Sequence, residues 1–314
     1  MLKDELLKVY RHEDIGYVPV FPSDYNIISN PLIREKGFGG GLDWFGVNWT
    51  QSEGMTAVTP VPGEVVLKDV CRWREEVVFP NLEELPWEDM AASDTADWDR
   101  ENKITLAMLE CGPFERLQSL MGFENSLVAL YDEPEETKAL IDAITAHRER
   151  LIRLVCKYYN PDVVCLHDDF GAGDRMLISP QLWREFFKDS VKRLTETAHE
   201  CGTFYEHHSC GFIRPIVPEL VEIGIDAINP MQFSNEVPEL KARFGSKLTF
   251  CGGFDNQHVF DNINATDSEI REEVRRVYRQ LAPGGSYVAF IMTFSDRSMR
   301  IINDELRLLQ KMGE

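Results

Sequence analysis

No apolar run in this chain is long enough to span a bilayer, and the N-terminus, MLKDELLKVYRHEDIG, is too charged for a secretory signal. No CxxC pair occurs, and the seven cysteines are odd in number and lie far apart. That pattern argues for reduced thiols and a cytoplasmic location. Basic runs are absent as well. With 33 Lys and Arg against 53 Asp and Glu, the formal charge is −20, which repels a phosphate backbone and argues against a nucleic-acid partner. The acidity points to no partner in its place, because solubility alone accounts for it. The Gly-rich stretch 37–54, GFGGGLDWFGVNWTQSEG, contains neither GxxxxGK[ST] nor a GxGxxG that opens a helix, so a phosphate-cradling loop is not expected there. Asp43, Trp44, Phe45 and Trp49 within it read instead as a pocket lid or a subunit contact.

What is present centres on Thr203–Gly211, TFYEHHSCG. Its first half is β-branched and aromatic and reads as a short buried strand. Residues two apart on a strand share a face. Glu206, His208 and Cys210 therefore align, and His207 faces the other way. A carboxylate, an imidazole and a thiol on one face are costly to bury without partners. They read as a metal or catalytic site, the alternative being a satisfied polar patch beside a turn.

Around this stretch the chain alternates in type. A short helix is expected at Leu2–Tyr10 and a strand at Tyr17–Phe21. Residues 61–98 are irregular, acidic and interrupted by prolines. Asn102–Glu110 reads as a strand, and Asp132–Tyr158 as a long helix with Asp132 as cap and Leu140, Ile144, Leu151 and Val155 at helical spacing. Pro161–Asp169 is a strand with a polar end, His167-Asp168-Asp169. Ser179-Pro180 opens a helix that Gly202 stops. Further strands follow at Asp226–Pro230, Lys247–Gly252 and Tyr287–Met292, separated by a helix at Ile213–Ile223 and one capped by Thr266 and Glu269. A last helix runs over Ser298–Met312.

Alternating strands and helices without hairpin signals mean parallel strands with crossover helices. Seven strands can be named, and an eighth is expected within 37–78. A (β/α)₈ TIM barrel fits better than a doubly wound sheet, because no fingerprint loop follows the first strand. The expected organisation is one domain, 1–314, with an irregular N-terminal part and lid over 1–100 and the main repeats over 101–314. Asp24, Glu110, His167, Asp168, Asp169, Glu206–Cys210, Gln232, Cys251 and Asp255 all fall at or just past strand ends, the catalytic face of a barrel.

From Gly112 onward the motifs GPFERLQSLMGFEN, DEPEE, DVVCLHDDFGAGDRMLISPQLWREFF, HHSCGFIRPIVPELVEIGIDAINPMQ and CGGFDNQ, with an EEV…LAPGGSYV ending, occur in order. Over about two-thirds of its length the chain resembles the uroporphyrinogen decarboxylase superfamily. The resemblance implies a TIM barrel, usually dimeric. It also implies one of two chemistries. Decarboxylases of the superfamily use no metal or cofactor and bind a tetrapyrrole through an arginine-containing N-terminal motif and an aspartate. Their relatives move methyl groups to or from a corrinoid protein, several with zinc on a His-x-Cys pair and a later cysteine.

His208-Ser209-Cys210 matches His-x-Cys. The later cysteine, expected near Thr293, is missing, which leaves Glu206 or Cys251 as third ligand, with Asp168 and Asp169 behind them. Around residues 21–37 the only arginine is Arg34. Asp43 can stand in for the decarboxylase aspartate, but LDWFGVNW resembles the methyltransferase-like branch. The expected function is zinc-dependent methyl transfer from a small methylated substrate, such as a methoxylated aromatic, to a corrinoid protein. A cofactor-free decarboxylase and a metal-free binding protein are the alternatives. His167, Asp168 and Asp43 are the candidate catalytic residues, the first two equally readable as a hydrogen-bonded strand end. Asp24, Trp44, Trp49 and Gln232 are the candidate substrate contacts. Trp44, Trp49 and Phe21 can wall an aromatic ring, although such residues more often serve as core or lid.

Overall fold

The computed structural model describes residues 1–28, 30–35, 40–51, 58–293 and 295–312. Two short strands come first, β1 (Val20–Phe21) and β2 (Tyr25–Ile28), joined by three residues. A small antiparallel sheet follows, made of β3 (Gly41–Leu42), β4 (Asn48–Thr50) and β5 (Thr59–Pro60). The remaining strands are β6 (Ile104–Leu109), β7 (Val163–His167), β8 (Phe204–His208), β9 (Ala227–Met231), β10 (Thr249–Gly252) and β11 (Tyr287–Phe290). Eight of them form one parallel sheet in the order β1-β11-β10-β9-β8-β7-β6-β2. Its two ends are the consecutive strands β1 and β2, so the sheet curls into a nearly closed TIM barrel. Strands buried on both faces read as near-continuous apolar runs, as ITLAML and VVCLH do.

The eighth strand is β2. It follows β1 without a crossover helix, and within 37–78, where the eighth strand was expected, β3, β4 and β5 form the antiparallel sheet instead. Parts of the 37–54 stretch, 37–39 and 52–54, lie outside the described residues. Three further differences are local. Asp132 ends the helix Phe123–Asp132, and the long helix Pro134–Tyr159 starts after Glu133 with Pro134 at N1. The helix opened by Ser179 breaks at Phe187 into Pro180–Phe186 and Lys188–Glu200. An additional helix, Val237–Phe244, links β9 to β10. The Thr266–Glu269 capping box forms as expected.

The N-terminal segment Lys3–Arg11 closes the end of the barrel where the strands begin. Lys3 pairs with Asp162, just before β7, at 3.0 Å. The hydroxyl of Thr249, the first residue of β10, donates to the Val9 carbonyl at 2.6 Å. Tyr10 reaches into the barrel from below, and its hydroxyl donates to Glu206 Oε2 at 2.7 Å.

The small sheet is tied to the barrel by a sealed ion cluster. Arg116 bridges Asp43 (2.5 Å) and Glu35, and Arg148 donates to both oxygens of Glu35; all four side chains are fully buried. Asp43 also accepts from the Phe45 and Val47 amides and the Trp49 indole, each at 2.9 Å. Its acceptor positions are therefore spent on the 43–49 turn and Arg116. Asp43 thus holds the 43–49 turn to the ion cluster.

His147 packs edge-on against Phe45 beside this cluster. Burial, with the Arg148 and Arg116 charges, pulls its pKa down to about 3. Because the unfolded ring binds a proton near its ordinary value of about 6.5, the unfolded state takes up more protons between those limits. His147 should therefore cost stability as pH falls from about 6.5 toward 3. We expect acid to lower the wild-type melting temperature more than that of His147→Gln over this window; equal losses would contradict this placement.

Candidate functional site

Strand register assembles the site. His167 on β7 lies opposite His208 on β8, and His208 lies opposite Asn229 on β9. The His167 and His208 rings stack with centroids 3.6 Å apart and planes 5° from parallel. Past the strand ends, the loops 169–172 and 209–212 press backbone to backbone. A Cβ on Gly171 would meet the Cys210 carbonyl at 2.4 Å, and one on Gly211, at φ +78°, would meet the Ala172 carbonyl at 2.4 Å. Glycine at both positions permits that approach. The Phe212 amide then donates to the Ala172 carbonyl, and the Phe170 amide to Ser209 Oγ.

This packing brings Asp169, His208 and Cys210 together. Their donor atoms lie within 4.8 Å of one another. His208 Nε2 is 3.5 Å from Cys210 Sγ and 3.7 Å from Asp169 Oδ1, which also accepts the Cys210 amide at 2.7 Å. One thiol, one imidazole nitrogen and one carboxylate oxygen make a donor set that suits zinc. His208 Nδ1 meets Asn229 Oδ1 at 2.5 Å. Since a carbonyl only accepts, Nδ1 carries the proton and Nε2 keeps its lone pair toward Cys210 and Asp169.

A second group, Cys165, His167 and His208, lies one step deeper with donor atoms equally close. Among the described residues, neither group includes Glu206 or Cys251. Glu206 pairs in register with Cys165, two residues below His208. Two residues along a strand is a rise of roughly 7 Å, and Glu206 is committed there to Tyr10, Asn229 and, at 3.9 Å, the Cys251 thiol. Burial lifts the Glu206 carboxyl to about 7, against the pull of those hydrogen bonds. The same-face alignment expected from the sequence is correct, but depth separates Glu206 from Cys210. Asp169, which stood with Asp168 behind Glu206 and Cys251 as a third-ligand candidate, is the carboxylate beside the pair.

Other candidates disperse. Asp168 accepts from the Phe114 and Glu115 amides at 3.0 and 2.9 Å, so it caps the helix Pro113–Met121 from another strand. Burial, with the Glu115 and Asp169 charges, keeps its carboxyl well above the usual range. Its Oδ1 thus caps that helix, while Oδ2 has no hydrogen-bond partner among the described residues. Asp24 binds the Val20 amide and the Tyr17 hydroxyl, and its carbonyl accepts from Ile104 at the start of β6. It therefore lies at the end of β6 away from the mouth, in a turn rather than a substrate site. Gln232 accepts from the Gly211 amide and lines a cleft with Asp174, Phe254 and Asp255. Trp44 packs on the core. Phe21 stacks on Phe290 at 4.5 Å instead of joining an aromatic wall with the tryptophans. His207 is buried on the outer face against Phe170, and burial together with His208 holds its pKa to about 3.

A cleft of about 520 Å³ opens beside Asp169, between β4–β5 and the helix Pro113–Met121. Its walls include Trp49, Pro60, Val65, Phe123 and Leu177, with Glu64, Glu115 and Asp169 as the charged groups. Asn229 and the cleft were not recognisable as site features in the sequence. Asn229 lies inside an apolar strand, DAINP, and only the β8–β9 register reveals its partner.

Known proteins corroborate the architecture. A solved structure described as a methyltransferase from Methanosarcina mazei superposes with a TM-score of 0.68 at 13% identity, covering 98% of both chains. An amidohydrolase structure covers 70% of this chain and 56% of its own at 11% identity, with a TM-score of 0.34 too low to support an argument. No curated protein matches. No described helix is long and apolar enough to cross a membrane. The sequence model of uroporphyrinogen decarboxylase (URO-D) matches residues 79–290, about two-thirds of the chain including every barrel strand from β6 to β11, and on that match the chain belongs to the URO-D family.

Proposed function

We propose that this protein is a zinc-dependent methyltransferase that moves a methyl group from a small methylated donor to a corrinoid carried by a partner protein. The observation that carries the reading is the convergence of Asp169, His208 and Cys210 at the barrel mouth. These three side chains would hold the metal, with Asn229 orienting the imidazole. Bound there, zinc supplies Lewis acidity toward the donor heteroatom from which the methyl group departs. The cleft beside Asp169 has the size and apolar lining of a small-molecule site, and Trp49, Phe123 and Leu177 would enclose the donor and exclude water. The same reading includes a homodimer and a cytoplasmic place of action, testable by light scattering and cell fractionation.

A porphyrinogen decarboxylase would need cations for its substrate carboxylates. Arg116 and Arg148 are sealed in the ion cluster, and the described residues lining the cleft include no Lys or Arg. This charge pattern selects among donors. A neutral methoxyarene should be demethylated with kcat/KM at least about tenfold above its ring-carboxylated analogue, a penalty of roughly 1.4 kcal/mol for bringing an anion beside Glu64, Glu115 and Asp169. Preference for the carboxylated donor would contradict the assignment of this cleft. The function is tested by incubating the reduced, zinc-loaded protein with methoxyarenes, methanol and methylamines and with cob(I)alamin. Methylcobalamin formed from one donor class supports the reading, and none from any class counts against it.

A further inference from the structure

The structure assigns Glu206 a positioning role: through Asn229 it sets the tautomer of His208. The importance of that tautomer to metal binding rests on the proposed function, but the relay itself does not. Asn229 stands between the two residues with its side chain entirely buried. Its Nδ2 donates to Glu206 Oε1 and, at 3.3 Å, to Cys165 Sγ, while its Oδ1 faces His208 Nδ1 at 2.5 Å. An amide that rotates by half a turn exchanges donor for acceptor with little change in shape. Something must therefore fix its sense, and the neighbours differ in what they can fix. As a carboxylate Glu206 only accepts, and with a proton on Oε2 its Oε1 still accepts, so either form holds the NH₂ end; the thiol of Cys165 is a weak acceptor.

The chain of constraint extends downward. Glu206 Oε2 receives the Tyr10 hydroxyl at 2.7 Å, and Tyr10 lies 3.2 Å from the Tyr25 hydroxyl. The N-terminal segment that closes the barrel thus anchors Glu206, Glu206 fixes Asn229, and Asn229 fixes His208. With the amide held this way, the Nδ1 hydrogen points at Asn229 and the Nε2 lone pair points at the space shared with Cys210 and Asp169. If the amide turned over, its NH₂ would face Nδ1. The proton would move to Nε2 and occupy the position a metal needs.

Two substitutions separate this role from simple support. Glu206→Leu removes the acceptor and leaves Asn229 free to turn. Glu206→Gln keeps an acceptor for Asn229, because its own amide can give its NH₂ to the Tyr10 oxygen while Tyr10 donates to Tyr25. The readout is ¹⁵N NMR of the metal-free protein above neutral pH, with the His208 signals assigned by their loss in His208→Ala. Wild type and Glu206→Gln should carry the proton on Nδ1, whereas Glu206→Leu should move a substantial fraction to Nε2. Zinc affinity by chelator competition should fall roughly 10–100-fold in Glu206→Leu and little in Glu206→Gln. A wild-type His208 protonated on Nε2 would overturn the assignment, as would a folded Glu206→Leu that keeps the wild-type tautomer. Wild type with the proton on Nδ1 but no affinity for zinc would sink the metal reading and leave the relay standing.

Discussion

Cys210→Ala is expected to abolish stable metal binding and to slow methyl transfer roughly 10³-fold, about 4 kcal/mol of barrier, while leaving the fold intact. The fold should survive because the Cys210 contact with Asp169 runs through its backbone amide, which alanine retains. Cys210 is also only half-buried, on a loop whose course is set by Gly171 and Gly211. Only the sulfur is lost, and with it the single thiol in the group with Asp169 and His208. Cys165→Ala supplies the contrast. Its sulfur belongs to the deeper group and accepts from Asn229, so metal affinity should change far less. Retention of metal by Cys210→Ala and its loss in Cys165→Ala would move the centre to the deeper group with His167. Chelator competition on both variants, alongside circular dichroism, makes the comparison.

Arg116→Met should give the largest loss of stability. It leaves the fully buried Glu35 and Asp43 carboxylates without the guanidinium that bridges them. Removing one partner from a buried ion pair costs about 3–5 kcal/mol, because the remaining charge stays desolvated. For a chain of this length that lowers the melting temperature by roughly 5–8 °C. Arg148 still pairs with Glu35, so Asp43 suffers more, and with it the 43–49 turn that positions Trp49 at the cleft. Differential scanning calorimetry measures the loss, and a change below about 1 kcal/mol, the range of an exposed pair, would contradict a sealed cluster. KM for the donor should rise in the same variant.

The barrel was legible because its evidence is periodic. Apolar runs separated by capped helices mark parallel strands, and β6 to β11 follow that pattern. The strand β2 broke it, since a three-residue turn replaced the crossover helix. Alternation along one strand put Glu206, His208 and Cys210 on one face, and the resemblance to His-x-Cys selected His208 and Cys210 from the three. The carboxylate partner of that pair was not legible, because alternation describes a face and says nothing about depth or about a neighbouring strand. Glu206 shares the face but lies a step down the barrel, and Asp169 enters from the loop after β7. Asp43, Asp168 and Asp24 share an ambiguity that sequence alone does not resolve. A carboxylate at a strand end can hold a turn, cap a helix or face a ligand, and only its hydrogen-bond partners distinguish these roles. The resemblance to the URO-D superfamily was carried by motifs from Gly112 onward, and the family match over residues 79–290 covers the same region.

X-ray absorption at the zinc edge, on protein purified under reducing, chelator-free conditions, tests the central claim most directly. The proposed centre at Asp169, His208 and Cys210 predicts stoichiometric zinc with one sulfur scatterer near 2.3 Å and nitrogen or oxygen scatterers near 2.0–2.2 Å, the usual zinc distances. Zinc-free protein under those conditions, or zinc bound without sulfur, would contradict it.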